Sequence, residues 1–166
     1  MKNKIRPLII SAMFAALICV ATLVIQIPSP LGGYINLGDA LIITCAACLS
    51  PWYAFFAAAI GSALADVLLS YVAYAPATFI IKGLMALVFC LLYKAMRKKL
   101  KDIASAVIGA IASETLMVLG YWGFEGFLYG FGASLVNIPP NAVQGCAGIV
   151  LGVLLIQLFK KVKFLK

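Results

Sequence analysis

The stretch PATFIIKGLMALVFCLLY, residues 76–93, is an apolar run that carries a single charge, Lys82. About 20 consecutive apolar residues form a transmembrane helix. A lysine deep in such a helix costs on the order of 3 kcal/mol, so it needs a partner or a water-filled cavity. Lys82 therefore marks a candidate functional site, and similar apolar runs on either side of this stretch determine the fold.

The composition is that of an integral membrane protein. Of the 166 residues, 65% are hydrophobic and 11% are charged, whereas a soluble domain carries about 25% charged residues. The apolar runs leave no length for a separate soluble domain. We therefore predict one all-α transmembrane domain, residues 1–166.

Five apolar runs are long enough to cross a membrane, and a sixth, Asp39–Leu49, has about half the usual length. The sixth run is either a short helix or a re-entrant segment. The five long runs are Leu8–Gln26, Trp52–Ser70, Pro76–Tyr93, Ile103–Trp122 and Pro139–Phe159.

The basic residues decide between five and six spans. Apart from Lys82, they form three clusters, Lys2–Arg6, Lys94–Lys101 and Lys160–Lys166. Six spans place all three clusters on one side, whereas five would put one cluster outside, against the positive-inside rule. We predict a bundle of six transmembrane helices in the plasma membrane, with both termini cytoplasmic. Clusters next to spans meet anionic lipid, and they offer no soluble face for nucleic acid.

The five cysteines all lie in apolar segments, and the chain has no histidine. The lone pair Cys45-x-x-Cys48 has neither a second pair nor an imidazole beside it, so it does not predict a zinc or haem site. We interpret these cysteines as small apolar core residues and predict no metal.

Two long outer loops are predicted above the bundle. Ile27–Gly38 is rich in proline and glycine and is therefore not helical. Gly123–Ile138 is rich in glycine and aromatic residues. Long loops above a bundle are suited to act as a lid.

The polar residues within the spans converge in the outer half of the bundle. At 1.5 Å per residue, Asp66 lies roughly 6 Å, Lys82 roughly 9 Å and Glu114 roughly 12 Å below the outer helix ends. The full set is Asp39, Asp66, Lys82, Glu114, Asn141 and Gln144, with Tyr34, Tyr71, Tyr74, Tyr121 and Trp122 at the same level.

Helical spacing places several of these residues on common faces. Glu114, Tyr121 and Glu125 form one stripe along a helix. Asn137, Asn141 and Gln144 form another. Lipid offers such stripes no partners, so they face the interior.

Two interpretations of this cluster compete. In the first interpretation, Lys82 forms a structural ion pair with Asp66 or Glu114, and the aromatic residues form an interfacial belt. Alternatively, the cluster lines a small outward-facing pocket for a hydrophilic ring compound. We favour the pocket because polar groups converge from most of the spans. In it, Lys82 would donate to a ring oxygen, and Tyr34, Tyr74 or Trp122 would stack on the ring.

Small residues form strips in the first and last spans. Ala12-x-x-x-Ala16 and Gly148-x-x-x-Gly152 both allow a helix to approach closely. The spacing alone does not separate packing within the bundle from docking of another protein.

Several segments together carry a resemblance to a known family. They are Ala12–Ala16, Gly33–Asp39, Gly61–Asp66, Tyr74–Thr78 followed by Ile81-Lys82-Gly83, and Asn141–Gly145. In this order, and with six spans, the chain resembles the substrate-binding (S) components of energy-coupling factor (ECF) vitamin transporters. It looks most like the branch assigned to pyridoxine and hydroxymethylpyrimidine, a neighbour of the riboflavin binders.

The resemblance implies a subunit that binds its vitamin at the extracellular side, beneath the outer loops. A transmembrane coupling protein and two cytoplasmic ATPases would drive transport, and Ala12 and Ala16 would dock on the coupling protein. No ATP or other cofactor is expected in this chain, since it lacks a phosphate-binding loop motif. By position, the resemblance implies substrate contacts at Asn36, Asp39, Tyr74, Lys82, Asn141 and Gln144; the convergence of polar residues adds Tyr34, Asp66, Glu114 and Tyr121.

Other functions remain open from the sequence. An intramembrane enzyme needs a nucleophile–base pair or a metal cluster, and the chain has no histidine and no paired aspartates on one helix, so we expect no enzyme. A stand-alone transporter could use Asp66, Lys82 and Glu114 as a proton relay, although no inverted repeat is detectable. A purely structural subunit would not need the polar cluster.

Overall fold

The structure is a computed structural model that describes residues 2–161, with side chains from Ile5 onward. A small antiparallel sheet accompanies the helices, with strands β1 (Gln26–Pro28) and β2 (Tyr34–Asn36), and a 3-10 turn covers Leu135–Asn137. The helices are α1 (Lys2–Val24), α2 (Gly38–Cys48), α3 (Pro51–Leu68), α4 (Ala75–Met96), α5 (Asp102–Tyr129), α6 (Phe131–Ser134) and α7 (Ile138–Lys161).

The described part of the chain confirms the predicted all-α membrane bundle. Five of its helices, α1, α3, α4, α5 and α7, are long and apolar enough to cross a membrane. The remaining predicted span, Asp39–Leu49, corresponds to helix α2. This helix has 11 residues and so measures about 16 Å, roughly half a bilayer. It packs against α7, α4 and α1, and most of its residues are buried.

Contacts between helix ends give the directions of the helices. Lys94 Nζ donates to the Leu49 carbonyl oxygen at 3.1 Å, which joins the last turn of α4 to the end of α2. Lys160 pairs with Asp102, which joins the end of α7 to the start of α5. We call this the basic end, residues 94–102 and 160–161, and the opposite end, residues 26–36, the hairpin end. These two described basic clusters share one end, which five or six spans would equally require. The Ser11 hydroxyl donates to the Tyr53 carbonyl oxygen at 3.0 Å, so the described start of α1 lies beside the start of α3 at that same end, as only the six-span count requires; residues 162–166 lie outside the described residues.

The predicted loop Ile27–Gly38 is non-helical and forms a β-hairpin. Ile27 pairs with Ile35 in the antiparallel register. The turn closes with a hydrogen bond from the Ser29 N–H to the Gly33 carbonyl oxygen at 3.1 Å. Gly32 has φ +114° and Gly33 has φ +72°, a region that favours glycine. The turn therefore depends on this glycine pair.

The prediction of a long loop at Gly123–Ile138 is wrong. Helix α5 continues to Tyr129, and α6 and the 3-10 turn fill most of the remainder. Gly130, with φ +90°, ends α5, because this backbone conformation does not continue a helix. Glycines inside the helix are tolerated where packing uses them, and a Cβ on Gly126 would overlap the ring of Phe131.

The two small-residue strips have different uses. Gly148 and Gly152 are buried on α7, and a Cβ on Gly152 would lie 3.0 Å from Ile43 on α2. Ala12 and Ala16 are exposed on α1. The glycine strip therefore packs within the bundle, whereas the alanine strip leaves an open surface.

Candidate functional site

A polar cavity of about 30 Å³ lies beneath the hairpin. A volume of this size holds one or two water molecules, so a ring compound enters only if the lining side chains move. The lining comes from the hairpin and from α1, α3, α4, α5 and α7. It consists of Thr22, Ser29, Gly32, Gly33, Tyr34, Asn36, Ser62, Asp66, Tyr74, Thr78, Lys82, Tyr121, Glu125, Asn141 and Gln144.

The structure brings together most of the residues predicted to bind substrate. Eight of the ten line the cavity. A ninth, Asp39, forms hydrogen bonds with Lys82 and Gln144 of this set, whereas the tenth, Glu114, lies apart. The eight are Tyr34, Asn36, Asp66, Tyr74, Lys82, Tyr121, Asn141 and Gln144.

Lys82 forms a buried ion pair with Asp39. The Nζ–Oδ1 distance is 2.5 Å, and the two side chains are 3% and 1% exposed. Lys82 Nζ also lies 5.5 Å from the ring centroid of Tyr121, a distance that permits a cation–π interaction. The ion-pair interpretation named Asp66 or Glu114 as the partner, and that choice is wrong. Because α2 is short and enclosed, Asp39 in its first turn faces the interior at the depth of Lys82.

A hydrogen-bond chain extends this pair to the hairpin. Gln144 Nε2 donates to Asp39 Oδ2 at 2.5 Å. Gln144 Oε1 accepts from the backbone N–H of Asn36 at 2.8 Å, and Asn36 Oδ1 accepts from the N–H of Gly38 at 2.9 Å. Both carboxylate oxygens of Asp39 are therefore used, and α7 is tied to the end of β2. Buried polar networks that are satisfied in this way hold a site rigid.

A second contact holds the hairpin over α3. The Tyr34 hydroxyl donates to Asp66 Oδ1 at 2.6 Å, and the Tyr34 and Tyr71 ring centroids are 5.0 Å apart. Burial, followed by the bond to Asp66, raises the pKa of the Tyr34 phenol, so Tyr34 remains a protonated donor. Across the cavity, the Thr78 and Tyr121 hydroxyls are 2.9 Å apart.

Some buried oxygens at this end are left over. Asp66 Oδ2, Tyr74 OH and Glu125 Oε2 have no hydrogen-bond partner of ordinary geometry among the described residues. Buried polar atoms are rarely left unpaired in native proteins. These three atoms belong to residues that line the cavity, so they are candidates for contact with a bound molecule.

Glu114 and Trp122 lie outside the cavity wall. Glu114 is 3% exposed and lines a separate groove of about 250 Å³ between α5 and α7. A Cβ on Gly148 would lie 2.6 Å from Glu114 Oε1 and 3.0 Å from the Cβ of Asp39, so Glu114 lies behind the Lys82–Asp39 pair. The Trp122 indole N–H donates to the Phe131 carbonyl oxygen at 3.4 Å, away from the cavity lining.

Several lining residues were not among those predicted from the sequence. Thr22, Ser29, Ser62 and Thr78 contribute hydroxyls, and the Gly32–Gly33 turn contributes backbone. Hydroxyl residues are common in membrane helices, which hides their role. One signal was available, because Ser62 and Thr78 each precede a selected charged residue, Asp66 and Lys82, by one helical turn.

A second recess lies between α1 and α3. We call it the α1–α3 groove; it measures about 530 Å³ and includes the exposed Ala12 and Ala16. Gly61 makes the close approach that brings the two helices together, since a Cβ there would lie 2.5 Å from the Ala15 carbonyl oxygen. The lining is Leu8, Ser11, Ala12, Ala15, Ala16, Tyr53, Phe56, Ala57, Ile60, Gly61 and Leu64.

Comparisons with known proteins agree with this architecture. An uncharacterized protein in the gap 3′ region of Pyrococcus woesei is 34% identical over 136 residues, which cover 81% of this chain and 88% of that protein. A solved S component of a bacterial ECF transporter has the same fold, with a TM-score of 0.71 at 22% identity over 100% of this chain and 99% of that one. Residues 2–161 match the family model described as ECF-type riboflavin transporter, S component. This chain therefore belongs to the family of ECF-type transporter S components, the substrate-binding subunits of membrane transporters.

Proposed function

We propose that this chain captures a small water-soluble vitamin at the extracellular side of the plasma membrane for an ATP-driven ECF importer. The vitamin we favour is of the pyridoxine type, followed by hydroxymethylpyrimidine. The observation that carries the proposal is the polar cavity beneath the hairpin, which is lined by side chains from the hairpin and from five helices. Family membership makes such a cavity the natural place for substrate.

The size of the cavity supports a single-ring ligand. At about 30 Å³, it must expand to admit any vitamin, and one ring requires less displacement than the three fused rings of a flavin. Riboflavin is the second candidate, because the matching family model carries that vitamin in its description.

The hairpin supplies a lid for this cavity. Two contacts hold it closed, from Tyr34 to Asp66 and from the Asn36 N–H to Gln144. Admission of a ligand breaks these contacts, and polar groups of the ligand then replace the lost partners. The Lys82–Asp39 pair stays as a fixed floor, because breaking it would leave a buried charge without compensation.

The α1–α3 groove supports the proposed assembly. It is apolar and open, and six of its eleven lining residues are small; small residues let membrane helices pack closely. We assign it to a helix of the transmembrane coupling protein, which would be joined by two cytoplasmic ATPases. The positive-inside rule then places the basic end, and with it both termini, in the cytoplasm.

Calorimetric titration of the detergent-purified protein tests the proposal. Pyridoxine, hydroxymethylpyrimidine and riboflavin are titrated in turn, and we expect one of them to bind with a Kd below about 1 μM. Asn141→Ala, in the cavity wall, should weaken that binding, whereas Val150→Ala, on the exposed face of α7, should not. Failure of all three vitamins would reject these ligands.

Reconstitution separates this function from a stand-alone transporter. Proteoliposomes that contain only this chain should bind the vitamin without accumulating it. Accumulation driven by a proton gradient, without partners or ATP, would contradict the proposal.

A further inference from the structure

The cavity contains more negative than positive groups. Asp66 and Glu125 both contribute to its lining, and Lys82 is the one basic residue among the described residues that line it. Lys82 is already paired with Asp39 at 2.5 Å. Asp39 therefore compensates its charge within the protein, although Lys82 also acts electrostatically on Asp66, and no other cationic side chain among the described residues lines the cavity beside Asp66 or Glu125.

The buried cavity-lining atoms that lack a hydrogen-bond partner among the described residues are mainly acceptors. Asp66 Oδ2 and Glu125 Oε2 are buried acceptors without a partner of ordinary geometry in the described part of the chain. The Asp66 carboxyl group interacts with Tyr34 and Thr78, and that of Glu125 with Tyr74 and Asn137, so each keeps accepting capacity beyond these neighbours. A buried acceptor that stays unmatched destabilises the protein, so a ligand that supplies donors gains affinity here.

The position of these atoms supports their use by a ligand. Asp66 lies in the last turn of α3 and Glu125 near the end of α5, so they approach the cavity from two different helices. The Gly32–Gly33 turn covers Tyr74, whose hydroxyl would lie 3.1 Å from a Cβ on Gly32. The three oxygens therefore lie around the space that opens when the hairpin lifts.

We infer that this cavity selects its ligand for hydrogen-bond donors and against negative charge. It takes a neutral or cationic ring compound with hydroxyl or amino donors, and it rejects forms that carry a phosphate or carboxylate. The inference rests on the proposed function, because it specifies the chemical class of the vitamin bound at the same site.

Protonation of the lining does not reverse this selectivity. A carboxyl group that takes up a proton loses its negative charge and gains one O–H donor, while its second oxygen still accepts a hydrogen bond. No protonation state of Asp66 or Glu125 supplies the positive charge that a desolvated anion requires. The absence of a free positive charge for an anionic ligand is thus a property of the lining residue types and their placement, whatever the protonation state of the two carboxyl groups.

A charge series at one ring position tests the inference. Pyridoxamine, pyridoxine and 4-pyridoxic acid differ in the substituent at ring position 4, which is a protonated aminomethyl group, a hydroxymethyl group or a carboxylate. Riboflavin and riboflavin 5′-phosphate form a matched flavin pair. We expect the anionic member of the scaffold that binds to be weaker by at least about 100-fold, because like charges in a desolvated site repel strongly. An anion that binds within about threefold of its neutral partner would overturn the inference.

Variants show which residues produce the discrimination. Asp66→Asn and Glu125→Gln together should reduce the ratio between neutral and anionic ligands to about tenfold or less. Asp102→Asn neutralises a carboxylate at the basic end and should leave the ratio unchanged. An unchanged ratio in the cavity variants would overturn the assignment to these two carboxylates.

A measurement without ligand covers the case in which neither scaffold binds. Glu125→Gln should leave the unfolding temperature of the purified protein unchanged or higher, because a carboxylate reserved for ligand does not stabilise the empty protein. A fall of more than about 5 °C would show that Glu125 is structural and would overturn the inference. Absence of binding by both scaffolds would reject the proposed vitamins, while the unfolding result would still decide the role of Glu125.

Discussion

The cavity at the hairpin end and the α1–α3 groove are recesses of opposite character. The cavity measures about 30 Å³ and is lined by polar side chains from six parts of the chain. The groove measures about 530 Å³ and is lined almost entirely by apolar residues of two helices. The difference reflects the partner, since a water-soluble ring needs hydrogen bonds and a lid, whereas a helix in lipid needs open space beside small residues.

The two recesses also differ in what maintains them. The cavity depends on a buried network that joins Lys82, Asp39, Gln144 and Asn36 across four elements. The groove depends on backbone proximity at Gly61 and Ala15. Substitutions should therefore separate ligand binding from assembly.

The largest effect on stability is expected from Lys82→Met. Removing one partner of a buried pair leaves Asp39 uncompensated, at a cost of about 3–5 kcal/mol. Thermal unfolding in detergent measures this loss. The double variant Lys82→Met with Asp39→Leu should regain most of the stability but not ligand binding. An unchanged unfolding temperature in the single variant would refute the structural role of the pair.

Ala16→Trp should disable the groove and leave the cavity intact. The indole fills the space assigned to the coupling protein, so ATP-driven uptake in reconstituted complexes should fall by at least about tenfold. Ligand affinity of the isolated chain should stay within about twofold. Leu17→Trp introduces the same indole at an exposed neighbouring residue outside the groove lining, and it should retain uptake. Equal uptake by both variants would place docking elsewhere.

Gly33→Ala should strain the hairpin turn that forms the lid, and it should reduce ligand affinity at a smaller cost in free energy than that of Lys82→Met. The backbone φ of +72° costs a residue with a Cβ about 1–2 kcal/mol, which corresponds to a five- to thirtyfold loss of affinity in calorimetry. Gly132→Ala, where a Cβ would meet nothing within 4 Å, is the control and should bind normally. Identical affinities would mean that the closed turn does not contribute to binding.

The smallest effect is expected from Lys160→Met. Its ion pair with Asp102 has side chains that are 30% and 33% exposed, and such pairs contribute at most about 1 kcal/mol. Chemical unfolding should therefore show a small change, with ligand affinity unaffected. A loss as large as that of Lys82→Met would remove the distinction between the buried and exposed pairs.

The sequence was sufficient to find the cavity because the bilayer makes polar residues costly. That cost identified Lys82 and Asp66, and helical spacing placed Tyr121, Asn141 and Gln144 on interior faces. The exposure of Ala12 and Ala16 required the structure, because close-packing spacing serves internal contacts and docking equally well.

Other features depended on tertiary arrangement. The partner of Lys82 could not be chosen from depth alone, since the enclosure of short α2 decides that Asp39 reaches it. The extension of α5 through Gly123 and Gly126 was missed because glycine usually indicates a loop, whereas Gly126 here makes room for the Phe131 ring. The role of Thr22 arises only when α1 is packed beside the hairpin end.

Mass spectrometry of small molecules released from the detergent-purified protein tests the central claim most directly. The parent chain and the Leu17→Trp control should release the same pyridine or pyrimidine vitamin, and Asn141→Ala should release little or none. Equal amounts of that compound from Asn141→Ala would contradict the account of the cavity. A parent chain that releases no vitamin, and binds none from the titration panel, would contradict the claim that this cavity captures such a vitamin.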